Sequence, residues 1–228
     1  MRIAPALAAI ALVAAAGTAH ADFLVGYWNM NTGQASGQAA PLTIAAAFAA
    51  NPGVADLTTN FDPNGYKVFT PIGASAHNGL NGLALYGDVN GNDLGLQNGA
   101  AGVNNGKYIQ FQFNTASYAD FTLTFAGRRT STGFTSFDVS TSTNGVNFAP
   151  AGSITTIVAT GYSLITFDLN ATIDNAATAY VRLTSVGTST SSGGNVRIDN
   201  VQFNATVPAP GAAALLALGG LVATRRRR

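Results

Sequence analysis

The sequence predicts an all-β protein. Its body reads as an antiparallel β-sandwich of jelly-roll-like build, flanked by an N-terminal signal-peptide helix and a short C-terminal transmembrane helix. Three observations carry this. Apolar and polar residues alternate in short runs, the pattern of half-buried antiparallel strands. About ten such runs occur, separated by clusters of Gly, Asn, Ser and Thr. The chain of 228 residues is 47% hydrophobic, enough for a core in one sizeable β domain.

Taken in order, residues 1–21 read "MRIAPALAAIALVAAAGTAHA". Arg2 supplies a positive start, residues 3–16 an apolar run, and Ala19 and Ala21 the small residues that signal peptidase requires at −3 and −1. Cleavage after Ala21 makes Asp22 the new N-terminus. The run is too short for a comfortable membrane span. The body, residues 22–206, opens with "FLVGYWN", which sets Tyr27 and Trp28 on opposite faces of a strand. "PLTIAAAFAANPGV" is the one stretch where a helical turn or two is expected, and "LALYGD" is a further strand. "DVNGNDLGLQNG", from Asp88 to Gly99, has oxygen side chains at Asp88, Asn90 and Asn92, as a calcium loop would. It fails at Asp93, where the sharp turn needs glycine, and at Gly99, where a bidentate glutamate is needed. It reads as an Asx-rich surface loop.

The clearest strands follow. "KYIQFQF" sends Ile109, Phe111 and Phe113 to one face and Tyr108, Gln110 and Gln112 to the other. "DFTLTF" does the same with Phe121, Leu123 and Phe125. "FTSFDVST", a tight turn at Asn144-Gly145 that joins the strand ending near Ser142 to a short strand at Asn147, "SLITFDL" and "TAYVRLTSV" continue the pattern. "NVRIDNVQF" breaks its own phase, because Val196 and Ile198 have the opposite parity to Val201 and Phe203. A bulge near Asp199-Asn200 returns all four to one buried face. No internal repeat appears, and no linker before Thr206.

Composition narrows the function classes. Charged residues make up 9% of the chain, and every acid is an aspartate. The formal net charge of +1 is carried by the ends: the body has six basic residues against ten aspartates, a net charge of −4. No basic stripe is present for nucleic acid. There are no cysteines, so neither disulfides nor thiolate metal sites form. His77 is the one histidine left after signal cleavage, no Gly-x-Ser-x-Gly elbow occurs, and no phosphate-cradling loop leads into a helix. The aspartates sit among turns; a secreted glycosidase using two of them is the outside alternative.

Residues 207–228, "VPAPGAAALLALGGLVATRRRR", answer to a different logic. Pro208 and Pro210 break helix at the boundary and leave an extended strip. Residues 211–223 give a helix of about 20 Å, short of the ~30 Å hydrocarbon layer. Arg225, Arg226, Arg227 and Arg228 hold its end on the cytoplasmic side. A proline-bounded motif, a short apolar helix and a terminal arginine cluster, in that order, resemble the PEP-CTERM sorting signal. The motif is Val207, Pro208, Ala209, Pro210, and Ala209 departs from the family's glutamate. The resemblance implies recognition by an exosortase-type membrane protease, export to the cell surface or extracellular matrix, and transient anchoring in the membrane through the C-terminal helix before processing. An uncut tail anchor is the alternative. The runs "RRTSTGFTSFDVSTSTNGVNF" and "RIDNVQF" are similar to sandwich domains found ahead of such tails, and these resemble galactose-binding-type carbohydrate modules.

The expected partners are therefore signal peptidase, the exosortase-type protease and polysaccharide, with no nucleic acid. Tyr108, Gln110 and Gln112 are the expected sugar contacts: an aromatic face for stacking beside two amides on one polar face. In a jelly roll the first and last strands lie together, which brings Asp199 towards Asn29 and Asn31. Oxygens from these three suit a structural Ca²⁺; the alternative is that Asp199 accepts backbone hydrogen bonds at the bulge. The expectation is a non-enzymatic surface or matrix protein that binds glycan, with a purely structural surface protein as the alternative.

Overall fold

The computed structural model describes residues 22–69, 79–83, 92–159, 161–187 and 191–208. Thirteen strands among them form two antiparallel sheets. They are β1 (Phe23–Trp28), β2 (Thr43–Ala45), β3 (Phe48–Ala49), β4 (Asp56–Thr59), β5 (Tyr66–Phe69), β6 (Asp93–Gln97) and β7 (Tyr108–Phe113). Then follow β8 (Ala119–Arg129), β9 (Ser136–Ser142), β10 (Ala149–Ile154), β11 (Ser163–Asp168), β12 (Ala179–Val186) and β13 (Asn195–Thr206). Residues 1–21, where a signal peptide is expected, the tail from Ala209 to Arg228, His77, Asp88, Asn90 and most of "LALYGD" lie outside the described residues.

The six-stranded sheet runs β10-β9-β12-β7-β4-β2. The seven-stranded sheet is organised by β13, a strand of 12 residues. One side of β13 pairs with β8 along its length. The other side pairs first with β6, through Asn195–Ile198, and then with β1, from Val201 to Ala205. Strands β11, β3 and β5 complete the sheet.

The alternating runs become strands because each has a face to bury. Ile109, Phe111, Phe113, Phe121, Leu123 and Phe125 are all buried between the sheets. Trp28 fills the centre edge-on to Phe111 and Phe203, at centroid distances of 5.0 and 5.7 Å. It thereby joins β1 and β13 of one sheet to β7 of the other. Its indole N–H donates to the Ile44 carbonyl at 3.2 Å, so the polar end of the ring is satisfied inside. Truncating so large a buried ring costs about 3–5 kcal/mol.

The phase break in β13 is a bulge. Its register with β8 shifts between Asp199 and Gln202, and Asn200 takes a positive φ of 52°. Val196, Ile198, Val201 and Phe203 all reach the core as a result. The bulge also anchors residues 80–83 on the outer side of the sheet. Asn200 donates to the Leu80 carbonyl at 3.0 Å and accepts from the Tyr27 hydroxyl at 2.9 Å. Tyr27, on the opposite face from Trp28, is fully buried under this segment.

Three readings are corrected. The alanine-rich "PLTIAAAFAANPGV" is not helical: it contributes β2 to one sheet and β3 to the other. Pairing with β4 and β1 outweighs the helical preference of alanine, the strongest of any residue but small per position. Among the described residues the helical turns lie instead at Pro63–Gly65, Ala100–Gly102 and Ala171–Ile173, each a single 3₁₀ turn. The second half of the supposed surface loop is β6, buried through Leu96, with Asp93 wholly inside. The strand after Asn144-Gly145 begins at Ala149 rather than Asn147. Only Gly145 uses a positive φ there; the Asn144 side chain accepts from the Val146 and Asn147 amides, both at 2.9 Å.

Candidate functional site

The outward face of the six-stranded sheet carries the expected sugar contacts. Tyr108, Gln110 and Gln112 are half-buried on β7, while the residues between them point inward. Antiparallel register sets Pro150, Ser140, Arg182, Gln110, Thr58 and Thr43 in one row across the whole sheet. A second row holds Tyr180 and Gln112 together with Asp56, and a third holds Asp138 and Thr184 with Tyr108.

Arg182 organises this face, and the sequence reading did not single it out. Its guanidinium carbon lies 3.8 Å from the Tyr108 ring centroid and 3.7 Å from that of Phe148. A planar cation is thus held between two aromatic faces, each contact worth about 0.5–1 kcal/mol at a partly exposed position. Nε and Nη2 both donate to Gln110 Oε1, at 3.3 and 2.8 Å. Among the described residues no carboxylate forms an ion pair with Arg182. Two of its five N–H groups are therefore used and its charge is left uncompensated.

Beside it lies an open depression of about 440 Å³, floored by Asp138 and Ser140 of β9 and walled by Phe148, Pro150, Gly152 and Ser153. Ser140 stands opposite Arg182 in the register, and Phe148 is both a wall of the depression and one plate of the cation sandwich. The bulge between Pro150 and Gly152 opens the space: Gly152 has φ 136°, a conformation that L side chains rarely adopt. Ser153 Oγ donates to Asp138 Oδ1 at 2.6 Å, which fixes that carboxylate in the depression's lining. Tyr108 gives one ring face to Arg182, so its stacking capacity is half committed. Gln110 is committed through its carbonyl oxygen, while its NH₂ remains a donor.

A second arginine cluster lies in the other sheet. Arg197 Nη1 is 3.6 Å from Asp93 Oδ2, and Tyr162 donates its hydroxyl to the same oxygen. Arg197 stacks on Phe69 at 4.3 Å, and Arg128 lies 5.6 Å from the Tyr162 ring centroid. Asp93 is inaccessible and the Arg197 side chain 12% exposed. Gly95, opposite both Lys67 and Arg197, is required here: a Cβ would come within 2.1 Å of the Phe69 ring.

The residues considered for calcium are each engaged with backbone. Asp199 is fully buried, and its Oδ1 accepts from the Asn200 amide at 2.8 Å. Asn29 Oδ1 accepts from the Asn31 amide at 3.2 Å, and Asn31 Oδ1 from the Asn92 amide at 2.9 Å. Strands β1 and β13 do run side by side, with Trp28 opposite Val201. Among the described residues no cluster of three or more histidine or acidic side chains could hold a metal. Nor is any helix among them long and apolar enough to cross a membrane.

No protein-family model and no curated protein matches the chain. Solved structures with a similar fold include two cleaved adhesin domains of Lys-gingipain. The K1 domain, from Porphyromonas gingivalis W83, is 13% identical, with a TM-score of 0.46 over 80% of this chain and 97% of its own. The K2 domain is 14% identical, with a TM-score of 0.45 over 80% and 99%. A carbohydrate-binding module, TmCBM61, solved in complex with β-1,4-galactotriose, is 9% identical with a TM-score of 0.38 over 64% and 85%. At such identities and TM-scores no property of these proteins is carried over to this chain.

Proposed function

We propose that this chain is an exported, non-enzymatic surface or matrix protein whose jelly-roll-like sandwich binds glycan on the outward face of its six-stranded sheet. The observation that carries the binding half is the immobilised Arg182, held by Tyr108, Phe148 and Gln110 beside an open depression lined with hydroxyl, carboxylate and aromatic groups. Sugars are bound by such mixtures: ring faces for their C–H surfaces and rigid polar groups for their hydroxyls. A face built only for solubility does not need a cation locked on both sides.

The export half rests on Ala19 and Ala21 and on the tail. Val207 and Pro208 leave the sandwich exposed, so the expected cleavage strip begins where the last strand ends. In this reading signal peptidase frees Asp22, the short helix and the arginines hold the tail at the membrane, and an exosortase-type protease cuts at the proline-bounded strip. Mass spectrometry of the native protein tests this directly: the mature form is expected to start at Asp22 and to lack the arginine cluster. An intact Met1 overturns export, and an intact arginine cluster overturns processing. For the binding half, a glycan array probed with the full chain in mild detergent is expected to give hits that weaken when Phe148 is changed to alanine. An array without hits leaves the purely structural surface protein as the reading.

A further inference from the structure

We infer that the sugar this face takes carries a carboxylate, as a uronate does, and that Arg182 is the residue that reads it. The inference rests on the glycan-binding reading above and goes beyond it to the class of ligand. Arg182 is the one cation on the described outward face formed by β9, β12 and β7, in a domain whose body is net negative. Its position is fixed from three directions. Tyr108 and Phe148 cover the two faces of the guanidinium plane, and Gln110 Oε1 takes Nε–H and one Nη2–H. Those contacts leave only in-plane donors free, and in-plane donors in a rigid fork are what a planar carboxylate matches. The absence of any carboxylate partner among the described residues leaves that match to be completed from outside.

The depression adds a polarity. Ser140 lies next to Arg182 in the row, while Asp138 stands one row away, held by Ser153. A ligand that reaches from Arg182 past Phe148 into the depression meets a cation at one end and a hydrogen-bond acceptor at the other. One negative charge flanked by hydroxyl donors fits: the carboxylate goes to Arg182 and a hydroxyl donates to Asp138. A densely sulfated chain does not fit, because its second charge meets the Asp138 carboxylate. Neutral sugars satisfy Asp138 but leave the guanidinium donors facing a hydroxyl, a weaker partner than a carboxylate.

The test compares oligosaccharides of galacturonate, glucuronate, mannuronate and guluronate with their carboxyl-reduced counterparts, by calorimetry on the full chain in mild detergent. At least one acid is expected to bind about tenfold or more tightly than its reduced form, with an affinity that falls as salt is added. Arg182→Met is expected to erase that difference, the acid losing about tenfold or more and the reduced sugar losing less. Because the ligand rather than the protein is altered in the first comparison, the result stands even where the variant misfolds. If reduced and acidic forms bind equally, the carboxylate inference falls and the glycan reading survives. If neither binds, both fall. If a dextran sulfate oligomer binds as tightly as the best uronate, the face is a general anion site and carboxylate recognition is overturned.

Discussion

Two arginines on opposite sheets show how the same side chain is put to opposite ends. Arg197 is closed in: Asp93 neutralises it, Phe69 lies under it, Tyr162 binds the same carboxylate, and little of the side chain reaches water. Arg182 is stacked just as firmly between Tyr108 and Phe148, yet it has an amide where Arg197 has a carboxylate. Burial of a charge is tolerated only with a counter-charge, so the Arg197 cluster is a structural tie between β5, β6, β13 and Tyr162, the residue before β11. An exposed charge needs no partner to survive. Rigidity without neutralisation leaves a fixed positive charge for a ligand to complete, whereas a charge already neutralised gains less from an incoming anion. Stacking alone does not separate a neutralised arginine from an uncompensated one; the presence or absence of an internal carboxylate does.

The comparison can be broken most severely at Asp93. Asp93→Ala leaves Arg197 charged and nearly buried, with an expected loss of about 3–5 kcal/mol in denaturant unfolding. A loss below about 1 kcal/mol would mean that water reaches the cluster and that the two arginines are alike. Replacing both partners, Asp93→Leu with Arg197→Met, is expected to restore most of that loss, because no charge is then stranded. On the open side, Arg182→Met is expected to cost about 1–2 kcal/mol, the two cation–aromatic contacts and no more. A larger loss would place Arg182 with the scaffold.

Two smaller changes sharpen the contrast by removing polar groups that serve neither arginine. Asp174 has its carboxyl held above the ordinary aspartate value of 3.8, by desolvation first and by the nearby Asp120 charge second. A raised folded value means the charged form is disfavoured in the fold. Stability is therefore diminished at neutral pH and recovered as pH falls through the raised value towards 3.8. Asp174→Asn is expected to raise Tm slightly at pH 7, with no difference from the parent once both are acidified below 3.8. Tyr66 lies fully buried, and its hydroxyl has no hydrogen-bond partner among the described residues. Burial pushes its ionisation far up, so the ring stays neutral. Tyr66→Phe removes a stranded hydroxyl and is expected to leave Tm unchanged or slightly higher. A clear drop would reveal a bound water at that oxygen.

Much of this was legible before any coordinates. Strands β7 and β8 announced themselves by strict alternation, and the parity change between Ile198 and Val201 located the β13 bulge, because side-chain direction follows from period two alone. What hid β6 was Gly95, which reads as a loop residue and is present only because Phe69 lies against it. What hid β10 was the Pro150–Gly152 bulge, which interrupts any pattern. The alanine run hid β2 and β3, since its strand character comes from partners distant in sequence. The polar face of β7 was visible as the candidate site, but its organising residue was not. Arg182 gains its meaning from Phe148, on the connection between β9 and β10, and from Tyr108 on another strand. Single-sequence patterns report which way a side chain points and are silent on what it will meet.

One feature of the large sheet bears on the order in which the molecule comes into being. Synthesis delivers the chain from its N-terminus, and the strand that separates β8 from β1 and β6 is the last to arrive. Until residues 195–206 are delivered, β1 and β6 have nothing to join them to β8, and half of the core lacks its wall. The twelve earlier strands wait as an incomplete assembly whose closing contacts span nearly the whole chain, as Phe23 opposite Ala205 shows. Thr206, the residue that completes β13, immediately precedes the tail. The sandwich therefore closes last, on the strand that is made last.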